Sequence, residues 1–198
     1  MNENTISNAI EALKKGEIIV YPTDTLYALG ADVYNKNAVK MVFNLKKRSF
    51  DQPFSIAVFN FEEINKICVT NENVKRIVKK FLPGPLTLLL NKKKLAKNIF
   101  TGESEKIAVR IPNNKIALSL LSKFGPLTAT SANIHSKKPS NVINEIFMQF
   151  HDNVSVYLDD GMLDNPASTI VDLTIKVPVV VRQGSIKIEE IINVIKNE

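Results

Sequence analysis

A chain of 198 residues with 44% hydrophobic residues is long enough to bury a full core and fits one domain, read here as residues 1–198. Cys68 is its only cysteine, which excludes an intrachain disulfide, a cysteine-based zinc site and a CxxC redox pair. A formal net charge of +6 points to an anionic partner such as a nucleotide, RNA or an acidic surface, although a coat of solvated lysines would produce the same value.

The first residues offer Asn, Glu and Ser where a signal peptide would carry basic and apolar stretches, and no apolar run is long enough for a bilayer. A cytoplasmic protein without membrane attachment is expected. Ile6, Ala9, Ile10 and Leu13 recur at helical spacing, predicting a helix over 6–15 that stops at Gly16. Residues 18–21 then read as a buried strand, ended by Pro22. A helix over 37–47 and a strand over 54–59 follow, then helices over 61–67 and 72–81, broken by Pro83-Gly84-Pro85. Within this stretch Cys68, preceded by Ile64 and Ile67 and without a nearby His, reads as a core thiol. Strands are predicted over 86–90, 106–111 and 127–130, with a helix over 115–123, and Lys92-Lys93-Lys94 reads as a solvated turn. The last third supplies a helix over 142–150, a strand over 154–158, a Gly/Asp/Asn/Pro-rich loop over 159–167, a hairpin of strands over 168–173 and 177–182, and a helix over 188–195. Alternating helices and strands with an antiparallel hairpin argue for an α/β fold around a twisted, mixed parallel and antiparallel sheet.

Familiar catalytic signatures are missing. There is no GxxxxGK[ST] loop, no GxGxxG after a strand and no HExxH, and His135 and His151 lack ligand spacing. No GxSxG elbow accompanies His135. An enzyme built from this chain would work by placing substrates and neutralising charge.

Three polar groupings stand where apolar runs end: Thr23, Asp24 and Thr25 after the first strand; Lys46 and Arg48 at a helix end; and Thr130, Ser131 and Asn133 after a later strand. Lys46 and Arg48 also suit a basic helix C-terminus, and Ser131 and Asn133 suit an ordinary turn. Arg110, in Ile107-Ala108-Val109-Arg110-Ile111-Pro112, and Arg182, after Val179-Val180-Val181, have apolar neighbours, so each guanidinium needs an anion or a carboxylate partner. Arginines and a lysine converging on one cleft would clamp a triphosphate.

The order of these elements resembles the YrdC family. PTDTLYALG from Pro22 is similar to its PT(D/E)TxYGLG, with Ala28 where Gly is usual; Lys46-x-Arg48 matches KxR, and Ser131-x-Asn133 matches SxN. Leu82-Pro83-Gly84-Pro85-Leu86-Thr87, Val109-Arg110-Ile111-Pro112, Ala167-Ser168-Thr169-Ile170-Val171-Asp172 and Arg182-Gln183-Gly184 match its later segments, so the resemblance runs from about Gly16 to Gly184. It departs at Ser49, where Pro is often found, while Ala57 stands at a position that is His in the longer members and small in the shorter ones, so the short, single-domain type without the longer form's extra C-terminal domain is expected.

The resemblance implies a YrdC-like domain with a basic concave cleft that makes threonylcarbamoyl-adenylate from L-threonine, bicarbonate and ATP for tRNA modification next to the anticodon. It assigns Lys46, Arg48, Arg110 and Arg182 to phosphates and carboxylate or carbamate. Ser131, Asn133 and Ser168 go to the nucleotide or the carbamoyl group, Thr23, Thr25 and Ala57 to the threonine pocket that Ser168 also borders, and Gln52, Lys106, Thr130 and Pro139 to ATP by spacing. Mg²⁺ would be carried by ATP, since no compact carboxylate cluster marks a protein cage. Affinity for tRNA and hand-over to a downstream threonylcarbamoyl-transferase complex are further implications. Two rivals are an RNA-binding module without catalysis and a domain borrowed from a hydrogenase-maturation enzyme, whose accessory zinc domains have no counterpart in this sequence.

Overall fold

Asparagine starts four of the helices. In the computed structural model, which describes residues 3–96, 99 and 104–196, the side chains of Asn35, Asn60, Asn71 and Asn114 accept hydrogen bonds from backbone N–H groups in the first turns of α2 (Lys36–Lys46), α3 (Phe61–Ile67), α4 (Glu72–Phe81) and α5 (Lys115–Phe124). Such caps satisfy otherwise orphaned donors, each contributing about 1 kcal/mol. The remaining helices are α1 (Glu3–Lys14), α6 (Ile143–Phe150) and α7 (Ile188–Lys196). All seven lie within a few residues of the ranges predicted from periodicity.

The strands form two sheets. In chain order they are β1 (Ile19–Tyr21), β2 (Ala28–Gly30), β3 (Ser55–Ala57), β4 (Leu86–Asn91), β5 (Lys106–Arg110), β6 (Leu127–Thr128), β7 (Thr130–Ser131), β8 (Val156–Tyr157), β9 (Thr169–Asp172) and β10 (Val179–Arg182). One sheet has the order β7-β2-β1-β8, the other β10-β9-β4-β5-β3-β6. Both mix directions: β3 and β5, β4 and β9, and β1 and β8 run parallel, whereas β9 and β10 form the expected antiparallel hairpin.

Two features were not predicted. β2 lies inside the Thr-rich motif, and the strand expected over 127–130 is divided between the sheets at Ala129. Thr128 stitches the crossing: its Oγ1 donates to Leu29 O at 2.8 Å and accepts from Ala31 N at 2.9 Å, while its carbonyl accepts from Tyr21 Oη at 2.9 Å.

Three apolar clusters hold the layers. α3, α4 and α7 cover one face of the larger sheet with Ile64, Ile77 and Ile191 over Leu88 and Val109. α2 and α6 bury Phe43 and Phe150 with Tyr27 and Phe54, and α1 and α5 bury Leu13 and Leu120 with Ile19 and Tyr21. Cys68 belongs to the first cluster, and burial pushes its thiol up to about 12, so it stays protonated and inert. The opposite face of the larger sheet is left for Ser55, Thr87, Leu89, Ala108 and Ile170, which alternate with the core-facing residues and line a cleft where the two sheets meet.

Candidate active site

The cleft encloses about 250 Å³ and gathers residues from distant parts of the chain: Thr23 and Thr25, Arg48, Arg110, Thr130 and Ser131, and Ser168 and Arg182. Eight of the residues singled out from sequence therefore share one wall system.

At one end the chain leaves β1 in a turn closed by Thr23, whose Oγ1 donates to Leu26 O at 2.7 Å and accepts from the amides of Thr25 and Leu26, each at 3.2 Å. With that proton committed, the 3.1 Å contact between the two hydroxyls has Thr25 as its donor. Thr25 Oγ1 also accepts from Arg110 Nη1 at 3.0 Å. Of the two hydroxyls only Thr25 Oγ1 keeps a lone pair uncommitted, a single acceptor suited to an ammonium or amine.

Arg110 is 5% exposed and already paired. Its Nη2 lies 2.6 Å from Asp24 Oδ1 and 3.2 Å from Gly84 O in the Pro-Gly-Pro turn. Burial lowers the Arg110 pKa while the Asp24 charge opposes that shift. Asp24 also accepts from Asn113 N at 3.1 Å and, through its carbonyl, from Asn165 Nδ2 at 2.9 Å, so it joins the first turn, the end of β5 and the 159–167 loop. The same loop is held by Tyr27, whose Oη accepts from Asp160 N at 2.9 Å and contacts Gly161 O at 2.6 Å.

Lys46 differs from its expected role. It is 2% exposed and does not line the cleft; its Nζ donates to Ser131 O at 2.5 Å, Asn133 O at 2.7 Å and Asn133 Oδ1 at 3.2 Å. Ser131 Oγ contacts the same Oδ1 at 2.5 Å, and Asn133 Nδ2 donates to Ile134 O at 2.9 Å and Lys137 O at 2.6 Å. Lysine and asparagine together shape the loop that carries Ser131 to the cleft. Burial, with Arg48 nearby, pulls the Lys46 ammonium down to about 7.

Arg48 and Arg182 are the cleft cations without a carboxylate partner among the described residues. Arg48 donates from Nε to Gln52 O at 2.9 Å and from Nη2 to Pro53 O at 3.0 Å, and its guanidinium sits 5.1 Å above the Phe54 ring. Arg182 donates from Nε and Nη2 to Ser168 O at 3.1 and 2.9 Å, and from Nη2 to Ser168 Oγ at 3.0 Å. The glycine two residues on has a steric reason: a Cβ at Gly184 would stand 2.2 Å from Ala167 O and 2.4 Å from Thr169 N. The RxG ending therefore lies flat on the loop that bears Ser168.

The other expected residues fall elsewhere. Ala57 is buried behind the cleft with Tyr21 and Leu158 rather than on its wall. Lys106 is ion-paired with Asp172 at 2.9 Å and lies outside the cleft lining. Gln52 offers Arg48 its backbone carbonyl while its side chain is exposed. Pro139 lines a neighbouring hollow of about 510 Å³ that shares Leu26 with the cleft. Sequence reasoning assigned no site role to Thr87 or Ser55, although both alternate with core residues on strands that it identified. Among the described residues no group of His, Cys, Asp and Glu could hold a metal ion.

A family model named Sua5_yciO_yrdC and described as "Telomere recombination" matches residues 11–184. The threonylcarbamoyl-AMP synthase of Pyrococcus abyssi is 35% identical over 186 residues, 92% of this chain and 55% of that protein. The putative threonylcarbamoyl-AMP synthase of Methanocaldococcus jannaschii is 36% identical over 196 residues, 96% of this chain and 93% of that protein. Among solved structures, P. abyssi Sua5 complexed with L-threonine superposes with a TM-score of 0.92 at 35% identity, covering 99% of this chain and 58% of that one. This chain thus spans little more than half the length of the Pyrococcus protein but nearly all of the Methanocaldococcus one. With motifs, cleft and backbone path all in agreement, the chain belongs to the Sua5/YciO/YrdC family.

Proposed function

We propose that this chain is a nucleotidyltransferase that condenses L-threonine, bicarbonate and ATP into L-threonylcarbamoyl-adenylate and pyrophosphate. The observation that carries the proposal is the division of labour in the cleft. One end, with the free acceptor of Thr25 beside the Arg110–Asp24 pair, suits an amino acid; two arginines without carboxylates, Arg48 and Arg182, suit phosphates. The related structure with L-threonine bound and the names of the two relatives support the same substrates.

In this reading the threonine nitrogen forms a bond to the bicarbonate carbon, with loss of water, to give a carbamate. A carbamate oxygen then attacks the α-phosphorus of ATP, and the bond to pyrophosphate breaks with its electron pair leaving on pyrophosphate. Negative charge gathers on phosphate oxygens, where Arg48 and Arg182 stabilise it. Lys46 acts by holding Ser131 and Asn133 in place rather than by touching phosphate. Thr130 and Ser131 line the nucleotide side, and the hollow with Pro139 gives room for the remainder of the nucleotide. Mg²⁺ arrives bound to ATP. No helix among the described residues is long and apolar enough to cross a membrane. In this reading a cytoplasmic enzyme passes its adenylate to a downstream threonylcarbamoyl transferase. Incubation of the protein with MgATP, threonine and bicarbonate should yield the adenylate and pyrophosphate. Arg48→Ala should lower kcat/KM for ATP about 10- to 100-fold, the loss of one charge-assisted contact. Absence of product across a range of Mg²⁺ and pH would overturn the proposal.

A further inference from the structure

The hydroxyls on the far side of the cleft differ from those at its acceptor end. Thr87 Oγ1 and Ser168 Oγ lie 2.9 Å apart, are 1% and 3% exposed, and both line the cleft. Ser168 Oγ additionally accepts from Arg182 Nη2 at 3.0 Å. Two hydroxyls hold two protons, and the bond between them consumes one. Whichever of the pair donates, the other keeps a proton that has no acceptor among the described residues, and the space both side chains face is the cleft. A buried donor without a partner costs free energy unless a ligand takes it.

Register locates that proton. Leu88 pairs with Val109, so Thr87 stands beside Arg110 across β4 and β5, and Thr87 pairs with Ile170 on β9. The Thr87–Ser168 pair is therefore set between the Arg110–Thr25 end and Arg182. A substrate that places its amino acid at the first and its phosphates at the second has its carbamoyl group in between.

Resting on the proposed function, we infer that Thr87 is a further substrate-binding residue: paired with Ser168, it presents a hydroxyl donor to the carbonyl oxygen of the carbamate that does not attack phosphorus. Arg182 fixes the orientation of the pair through Ser168, so one arginine serves both the phosphates and the donor.

The test uses calorimetric titration with two probes, L-threonine and N-carbamoyl-L-threonine, whose ureido carbonyl occupies the place of the carbamate oxygen. Thr87→Val keeps the shape and β-branching suited to a strand but removes the hydroxyl; Thr87→Ser keeps the hydroxyl. Thr87→Val should weaken binding of N-carbamoyl-L-threonine about 10- to 100-fold while changing L-threonine affinity less than about twofold, and Thr87→Ser should bind both near the wild-type level. Equal affinities in wild type and Thr87→Val, or equal losses for both probes, would overturn the inference, the second because it marks a purely structural residue. A wild type that binds N-carbamoyl-L-threonine yet makes no adenylate contradicts the proposed function instead, and the comparison between probes still decides the role of Thr87.

Discussion

Lys46 shows how far a residue's type can be read from sequence and how little its environment can. Its place in a KxR motif marked it as a site residue, but not its burial, because the three oxygens it contacts come from residues more than eighty positions downstream. Arg110 has the same history: an apolar setting demanded a partner, and the partner is Asp24 of the first motif, adjacent only in the fold. Burial of Lys46 has a measurable consequence. With a folded value near 7 against an ordinary 10.5, the unfolded chain holds this proton more tightly than the folded one, so the penalty is full below about pH 7 and is relieved as pH rises toward 10.5. Lys46 therefore contributes a rise in stability between neutral and alkaline pH. Urea unfolding at pH 7.5 and 9.5 should show that rise in the wild type and a smaller one in Lys46→Met; parallel profiles in the two proteins would contradict it.

At the scale of elements, helices were legible because their period and Gly or Pro stops are local. Of the short strands, β1, β3 and β8 were legible, whereas β2 and the division of β6 from β7 were not. β2 has three residues and β6 and β7 two each, too few for a pattern, and the change of sheet at Ala129 follows from tertiary contacts through Thr128. The β9–β10 hairpin was legible, but the reason for its RxG ending was not: Gly184 lies against backbone atoms of Ala167 and Thr169, and its N–H donates to Thr169 Oγ1 at 3.0 Å. A methyl group there must push two strand ends apart, and overpacking of this kind costs about 1–3 kcal/mol. Because Arg182 is held by Ser168 in that loop, Gly184→Ala should lower both the melting temperature and kcat/KM for ATP. Turnover and melting at wild-type values would show that the contact is not needed to seat Arg182.

For the whole molecule, two sheets meeting along one cleft explain why chemistry residues so scattered in the chain converge: the turn between β1 and β2 brings the threonines, β5 and β10 bring Arg110 and Arg182, the segment after α2 brings Arg48, and the crossing between β6 and β7 brings Ser131. The charge is distributed differently. Within the cleft Arg110 is neutralised by Asp24, leaving Arg48 and Arg182; Lys106, at the far end of β5 and outside the lining, is paired with Asp172, and most of the lysines behind the net charge of +6 lie on the outer surface. Two anionic ligands should therefore respond differently to salt. A polyanion such as tRNA would meet many exposed lysines, releasing counterions so that its affinity falls about 10³- to 10⁵-fold between 50 and 200 mM salt if six to ten phosphates are engaged. ATP in the cleft meets only two arginines, Arg48 half-buried and Arg182 exposed, so far fewer ionic contacts are lost to salt. Filter binding of tRNA and adenylate formation, measured together along a potassium chloride series, should separate: retention of tRNA lost by about 200 mM while turnover declines less than about tenfold. Arg48→Ala should abolish most turnover and leave tRNA retention intact. If tRNA binding and turnover instead fell together with salt and with Arg48→Ala, the cleft itself would be the RNA site, and the rival reading as a binding module would gain what the enzyme reading lost.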